Sequence, residues 1–131
     1  MRAFIFGGNK MAKDDFSLIA CKILAYLYSC LKRIEVFDNE TFIRHVIGKG
    51  IDKDYVTDII IMLFNAGYIE GVIVFDTWEG RKLQSDWSDM AITMEGIEYL
   101  ENNTSMKKTM KWINENTTGI MQTIIAGLQL V

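Results

Sequence analysis

The sequence predicts a mostly helical α+β domain in which three helices precede a two-stranded β hairpin, with a further helical segment at the C terminus. Apolar residues recur at the three-and-four spacing of helix faces in the first half of the chain. β-Branched and aromatic residues cluster directly after residue 67, where a strand is expected. Half of the 131 residues are hydrophobic, and a chain of this size buries roughly two thirds of the surface of its unfolded state. We therefore expect one domain with a real core.

The first helix is predicted to run from Asp15 to Leu31. Asp15 is a favourable N-cap, and the apolar residues that follow share one helix face: Phe16, Ile19, Ala20, Ile23, Leu24, Leu27, Tyr28 and Leu31. After this helix, residues 34–37 alternate like a short strand. Residues 1–15 form an N-terminal extension. Its apolar piece at residues 2–6 is compatible both with pairing at a sheet edge and with a loose arm.

Two shorter helices follow, each with its own start and stop signals. Asp38 is expected to cap a helix over residues 39–47 that Gly48 ends. Its predicted buried face consists of Phe42, Ile43, Val46 and Ile47. Residues 48–51 predict a tight turn, after which Asp52 caps a third helix that ends at Gly67. The predicted inner face of this third helix consists of Val56, Ile59, Ile60, Leu63 and Phe64.

The hairpin and the C-terminal segment complete the predicted order. Residues 68–75 predict a strand, residues 76–89 a polar loop and residues 90–92 a second, short strand. Thr93 is expected to cap a helix that carries Met94, Ile97, Tyr99 and Leu100. From Ser105 the apolar residues follow the four-and-three spacing of a helix that packs against another helix. Gly119 interrupts this segment, which predicts one bent helix or two consecutive ones.

This order of elements is that of a winged helix-turn-helix domain over residues 16–103, with residues 104–131 as an added helical segment. Three stretches around the hairpin carry a resemblance to one family: Phe64-Asn-Ala-Gly-Tyr-Ile-Glu-Gly71, Ile92-Thr-Met-Glu-Gly-Ile-Glu-Tyr-Leu-Glu101 and Met106-Lys-Lys108. They are similar to the YjcQ-like family of small bacterial and phage winged-helix proteins. The resemblance implies a winged-helix domain with an appended helical segment, and it supplies no catalytic residues.

The first functional hypothesis is a bacterial or phage transcriptional regulator that contacts double-stranded DNA as a dimer. In a winged helix, the third helix enters the major groove while cations of the wing hold phosphates. The candidate contact residues are Lys49, Lys53, Tyr55, Thr57, Arg81 and Lys82. The charge pattern opposes this hypothesis, because residues 68–104 are the most acidic part of the chain and the third helix carries Asp54 and Asp58.

The second hypothesis is a winged-helix protein-interaction module that does not bind DNA. Trp78 and Trp87 in the hairpin loop are candidate anchors for a partner; alternatively, they fold back over the sheet as a lid on the core. The C-terminal stripe is a candidate homodimer interface; alternatively, it covers the first helix of its own chain. The candidate interface residues are Met110, Ile113, Ile120, Ile124 and Leu128.

The other chemistry-bearing residues predict neither an enzyme nor a cofactor or metal site. His45 is the single histidine, and no nucleophile lies at a recognisable spacing from it, so a structural role is expected. Cys21 and Cys30 lie about 13 Å apart along one predicted helix and cannot bridge each other. The methionines are expected to fill the core rather than line a small-molecule site. The longest apolar run, residues 59–64, is too short to span a membrane, and we expect a cytoplasmic protein.

Overall fold

A computed structural model describes residues 15–84 and 86–131. The helices are α1 (Asp15–Leu31), α2 (Asn39–Thr41, continued as a π-helical turn over Phe42–Ile47), α3 (Lys53–Asn65), α4 (Met94–Asn102), α5 (Thr104–Asn116) and α6 (Ile120–Leu128). The strands are β1 (Ile69–Glu70), β2 (Val74–Thr77), β3 (Gly80–Leu83) and β4 (Ala91–Ile92). This confirms the predicted α+β class with mostly helical content. The strand-like piece predicted at residues 2–6 lies outside the described residues.

Helices α2, α3 and α4 begin where the sequence places their capping side chains. The carboxylates of Asp38 and Asp52 each accept a backbone N–H from the first turn, at 2.8 and 2.7 Å. The hydroxyl of Thr93 accepts the N–H of Gly96 at 3.0 Å. Each bond satisfies an amide that has no partner within its own helix. Gly48 ends α2 with a φ of +93°, as expected of a glycine stop.

The predicted strand at residues 34–37 does not form. Helix α1 ends with Arg33 in the left-handed region, and the carbonyl of Ser29 accepts the next two backbone N–H groups at 2.9 and 3.2 Å. The hydroxyl of Tyr26 accepts the N–H of Asp38 at 2.9 Å and donates to a carbonyl within the segment at 3.4 Å. The backbone groups that a strand would offer to a neighbour are therefore used to close the C-terminal end of α1.

The β structure consists of two antiparallel pairs. β1 pairs with β4, which confirms the expected pairing of the strand after α3 with the strand before α4. The strand predicted over residues 68–75 is interrupted at residues 71–73, and the predicted polar loop contains part of a second hairpin, β2–β3. Gly71 marks the interruption, since its φ is +80° and a Cβ there would overlap the carbonyl of Asp89.

Helix α1 is the centre of the core, because it contacts every other helix and β4. The C-terminal segment forms two consecutive helices, which is one of the two arrangements that the sequence predicts. Both helices pack against α1, and their buried apolar residues are Met106, Met110, Ile113, Met121, Ile124, Ile125 and Leu128. No helix within the described ranges has both the length and the apolar content needed to cross a bilayer.

Two residues predicted to be buried lie at the surface. Ile43 is 50% exposed and Phe64 is 36% exposed. In α3 the buried set includes Ile61 instead, because this helix contacts β3 as well as α1 and so has two covered sides. Ile43 lies on the π-helical turn of α2, which is wider than the regular α-helical turn on which the prediction was based.

Candidate functional site

The structure brings α3 and the β2–β3 hairpin side by side. The guanidinium Nη2 of Arg81 on β3 lies 3.8 Å from Oδ1 of Asp58 on α3. Lys82, the next residue on β3, lies with its Nζ 4.0 Å from Oε1 of Glu79 in the hairpin turn. Arg81 and Lys82, the two wing cations predicted to hold DNA phosphates, therefore each lie near a carboxylate of their own chain.

The other predicted DNA contacts lie along the N-terminal half of α3 and the turn before it. Lys49, Lys53 and Tyr55 are exposed, whereas Thr57 is half-buried. Lys53 and Thr57 line an apolar groove of about 270 Å³ next to Trp87. Within the described ranges, Lys49 and Lys53 take part in no ion pair. Two isolated lysines interspersed with carboxylates do not form the clustered basic patch that supports binding to a duplex.

The β2–β3 hairpin has an inner and an outer face. Directly paired residues share a face, and the faces alternate along each strand. The pair Asp76–Arg81 faces α3, since Arg81 reaches Asp58. The next pair, Phe75–Lys82, must therefore face away from α3.

The hairpin exposes large apolar side chains on its outer face and in its turn. Phe75 is 48% exposed and Ile73, just before β2, is 56% exposed; Trp78, in the turn that joins β2 to β3, is fully exposed. We call Ile73, Phe75, Trp78 and Lys82 the hairpin face. A large exposed aromatic group beside other apolar side chains is characteristic of an interaction surface, in which Trp is a frequent anchor.

The two tryptophans of the predicted hairpin loop lie in different environments. Trp87 is half-buried and packs edge-on against Phe42, with ring centroids 5.3 Å apart and an interplanar angle of 88°. Its backbone N–H donates to the side chain of Asn39 at 3.3 Å. Trp87 is thus a lid on the core, which is one of the two arrangements considered from the sequence. Trp78, in contrast, is fully exposed, and its role as an anchor stays a prediction.

The residues predicted as a dimer interface belong mostly to the core of the single chain. Met110, Ile113, Ile124 and Leu128 are at most 2% exposed, and Ile120 is half-buried at the start of α6. The stripe covers α1, as the alternative interpretation expects. A dimer through these side chains would require α5 and α6 to leave α1, and dimerisation itself stays a prediction.

The remaining polar and sulfur-containing candidates lie apart from the hairpin face. His45 is exposed on α2. Burial raises the pKa of the Cys21 thiol to about 12 and that of Cys30 to about 11, so both are protonated and weakly nucleophilic at neutral pH. Among the described residues, no group of three His, Cys, Asp or Glu side chains is placed to hold a metal ion.

Sequence reasoning missed the second hairpin and the contact between Arg81 and Asp58. The turn Thr77-Trp-Glu-Gly80 was the available signal for the hairpin, since Gly80 has a φ of +111° and the hydroxyl of Thr77 donates to its carbonyl at 2.6 Å. No sequence signal indicates the contact with Asp58, because it depends on how the hairpin leans against α3.

Comparison with known proteins relates this chain to a family. Comparison with curated proteins and with solved structures gave no match. The family model described as YjcQ protein matches residues 21–116, which span the chain from α1 to the end of α5 and include the hairpin. Since the match covers most of the chain, this protein belongs to the YjcQ family.

Proposed function

We propose that this protein is a winged-helix protein-interaction module that docks a protein partner on its hairpin face and does not bind DNA through α3 and the hairpin. The observation that carries the proposal is the full exposure of Trp78 in the hairpin turn, together with the exposure of Phe75 on β2 and of Ile73 just before it. A hairpin that only held DNA phosphates would need cations at these positions rather than large apolar groups.

The charges around the hairpin favour the same function. Carboxylates outnumber cations between residues 70 and 89, and Arg81 and Lys82 each lie within 4.0 Å of one. These pairs are solvent-exposed and contribute little to stability. They matter for recognition, because the same carboxylates would lie close to any phosphate that approached the two cations. The expected partner surface is therefore apolar at its centre and cationic at its rim.

The first prediction concerns binding to random-sequence duplex DNA. We expect no binding by the wild type at about 10 μM protein in low salt, measured by fluorescence anisotropy. The variant Asp58→Asn with Glu79→Gln should bind detectably under the same conditions and lose this binding steeply as salt rises, because Arg81 and Lys82 are freed to contact phosphates. The matched control is Glu95→Gln with Glu98→Gln, which changes the net charge equally on the exposed face of α4.

Two outcomes would contradict this prediction. Equal gains in the variant and in the control would show that net charge, not the two pairs at the hairpin, determines duplex affinity. The other contradicting outcome is that the wild type binds duplex DNA in a salt-sensitive manner and that Lys53→Glu with Arg81→Glu abolishes this binding. The protein would then be a DNA-binding regulator, as the first sequence hypothesis holds.

The second prediction concerns the hairpin face directly. A photo-crosslinking amino acid placed at Trp78 should form a discrete protein adduct in cells of the source organism, because this position lies at the centre of the proposed contact. Adding Phe75→Asp to the same protein should abolish the adduct, since a carboxylate cannot be buried in an apolar contact without a partner. The adducts are measured by gel electrophoresis and mass spectrometry.

The matched control places the same crosslinker at Lys108, an exposed position on α5. An adduct at twice the chain mass of 15.0 kDa would identify a second copy as the partner, and any other discrete mass would identify a different protein. If positions 78 and 108 give the same adducts, or if Phe75→Asp leaves them unchanged, the hairpin face is not a docking surface.

A further inference from the structure

A cation-lined cavity lies where α1, α2 and the turn between α5 and α6 meet. Its volume is about 240 Å³. Its polar wall contains Lys22 from α1, Arg44 and His45 from α2, and Thr117 and Thr118 from the turn. None of the described residues that line it is a carboxylate, although the chain as a whole carries a net charge of −3. The cavity thus concentrates positive charge in an acidic protein.

Lys22 is the least exposed of the three basic residues that line this cavity. Its side chain is half-buried and takes part in no ion pair within the described part of the chain. Burial lowers the pKa of its ammonium group, because removal from water disfavours the charged form. A half-buried ammonium without a counter-ion costs free energy, and an anion placed beside it would offset that cost.

Helix α2 brings two further basic groups to the same cavity. Arg44 and His45 are adjacent in the sequence and both lie on the π-helical turn Phe42–Ile47. Such turns are rare and frequently occur at functional sites. Arg44 also contacts Glu40 at 3.1 Å, but a guanidinium has five N–H donors and can hold a second anion with those that remain.

The start of α6 adds to the positive character of the wall. Gly119 precedes the helix and has no side chain to accept its first N–H groups. The amino end of a helix attracts anions through these groups. This contribution is secondary, since the three basic side chains lie in the cavity independently of it.

We propose that this cavity binds phosphate, either as the free ion or as the phosphate group of a small molecule. Phosphate combines up to two negative charges with several acceptor oxygens, which matches two cationic side chains, an imidazole and a threonine hydroxyl. The volume suits a small anionic ligand rather than a large organic one. The site is distinct from the hairpin face, none of whose residues lines the cavity.

The test is a titration of the full chain with sodium phosphate, against sodium chloride at equal ionic strength. Two-dimensional amide NMR should show saturable shifts centred on residues 44–45 and 117–120 in phosphate only. Lys22→Met, which keeps much of the aliphatic stem, should weaken phosphate binding at least about tenfold, as expected for a lost charge-assisted contact. Lys107→Met, an equal loss of charge on the exposed surface of α5, should leave the affinity unchanged.

Two results would overturn the phosphate proposal. Equal responses to phosphate and chloride, or equal affinities of Lys22→Met and the wild type, would overturn the proposal. If Lys22→Met does not fold, Arg44→Gln with His45→Gln provides the same comparison at two exposed positions. Parallel titrations with adenosine monophosphate and glucose 6-phosphate distinguish the two sources of the bound phosphate. Tighter binding of either would indicate a phosphorylated metabolite, and weaker binding of both would indicate free phosphate.

Discussion

Ile124→Asp is expected to abolish the cooperative unfolding of this protein by leaving it largely unfolded at 25 °C. Ile124 is 1% exposed on α6, and this helix contacts α1, α2 and α5. An unpaired carboxylate in that position costs several kcal/mol, which is comparable with the whole stability of a typical domain of about 5–15 kcal/mol. The milder Ile124→Ala should cost about 2–5 kcal/mol through the cavity that it leaves. Circular dichroism during heating measures both effects.

The matched control for this prediction is Ala126→Asp, two residues further along the same helix at an exposed position. We expect it to change stability by less than about 0.5 kcal/mol. Sedimentation of Ile124→Asp distinguishes the two interpretations of the C-terminal stripe. A folded monomer that replaces a wild-type dimer would mean that α6 joins two chains, whereas loss of folded structure means that α6 completes the core of one.

Gly96→Ala is expected to destabilise the protein by about 2–3 kcal/mol, although alanine is the better helix former. Gly96 lies in the first turn of α4, where a Cβ would overlap the carbonyl of Tyr68 and come within 2.8 Å of the side chain of Ile92. The obstacle is backbone and cannot rotate away, so α4 would have to move off the β1–β4 pair. Chemical denaturation measures the change.

The same substitution at Gly127 is expected to change stability in the opposite direction. Gly127 is helical and exposed on α6, and nothing lies within 4 Å of an added Cβ. We expect a stabilisation of about 0.5–1 kcal/mol, because alanine loses less backbone entropy on folding. If Gly96→Ala were also stabilising, the close contact between α4 and the residues after α3 would not exist in solution.

Local signals in the sequence were sufficient to predict the helices, because capping and periodicity act over a few residues. Asp38, Asp52 and Thr93 each accept an amide from their own first turn, so their positions alone determine where those helices begin. The same local logic is wrong at residues 34–37. There, alternation predicted a strand, whereas Ser29 and Tyr26 take up its backbone groups.

The sequence by itself determined the order of the helices and strands, the family resemblance of the stretches around the hairpin, and the large apolar content of the C-terminal segment. Only the tertiary structure decided which surfaces remain open. It places the C-terminal stripe against α1, pairs Arg81 with Asp58, and gathers Lys22, Arg44 and His45 around one cavity. The physical reason is that exposure and electrostatic pairing depend on distances between elements far apart in the chain, which no local periodicity encodes.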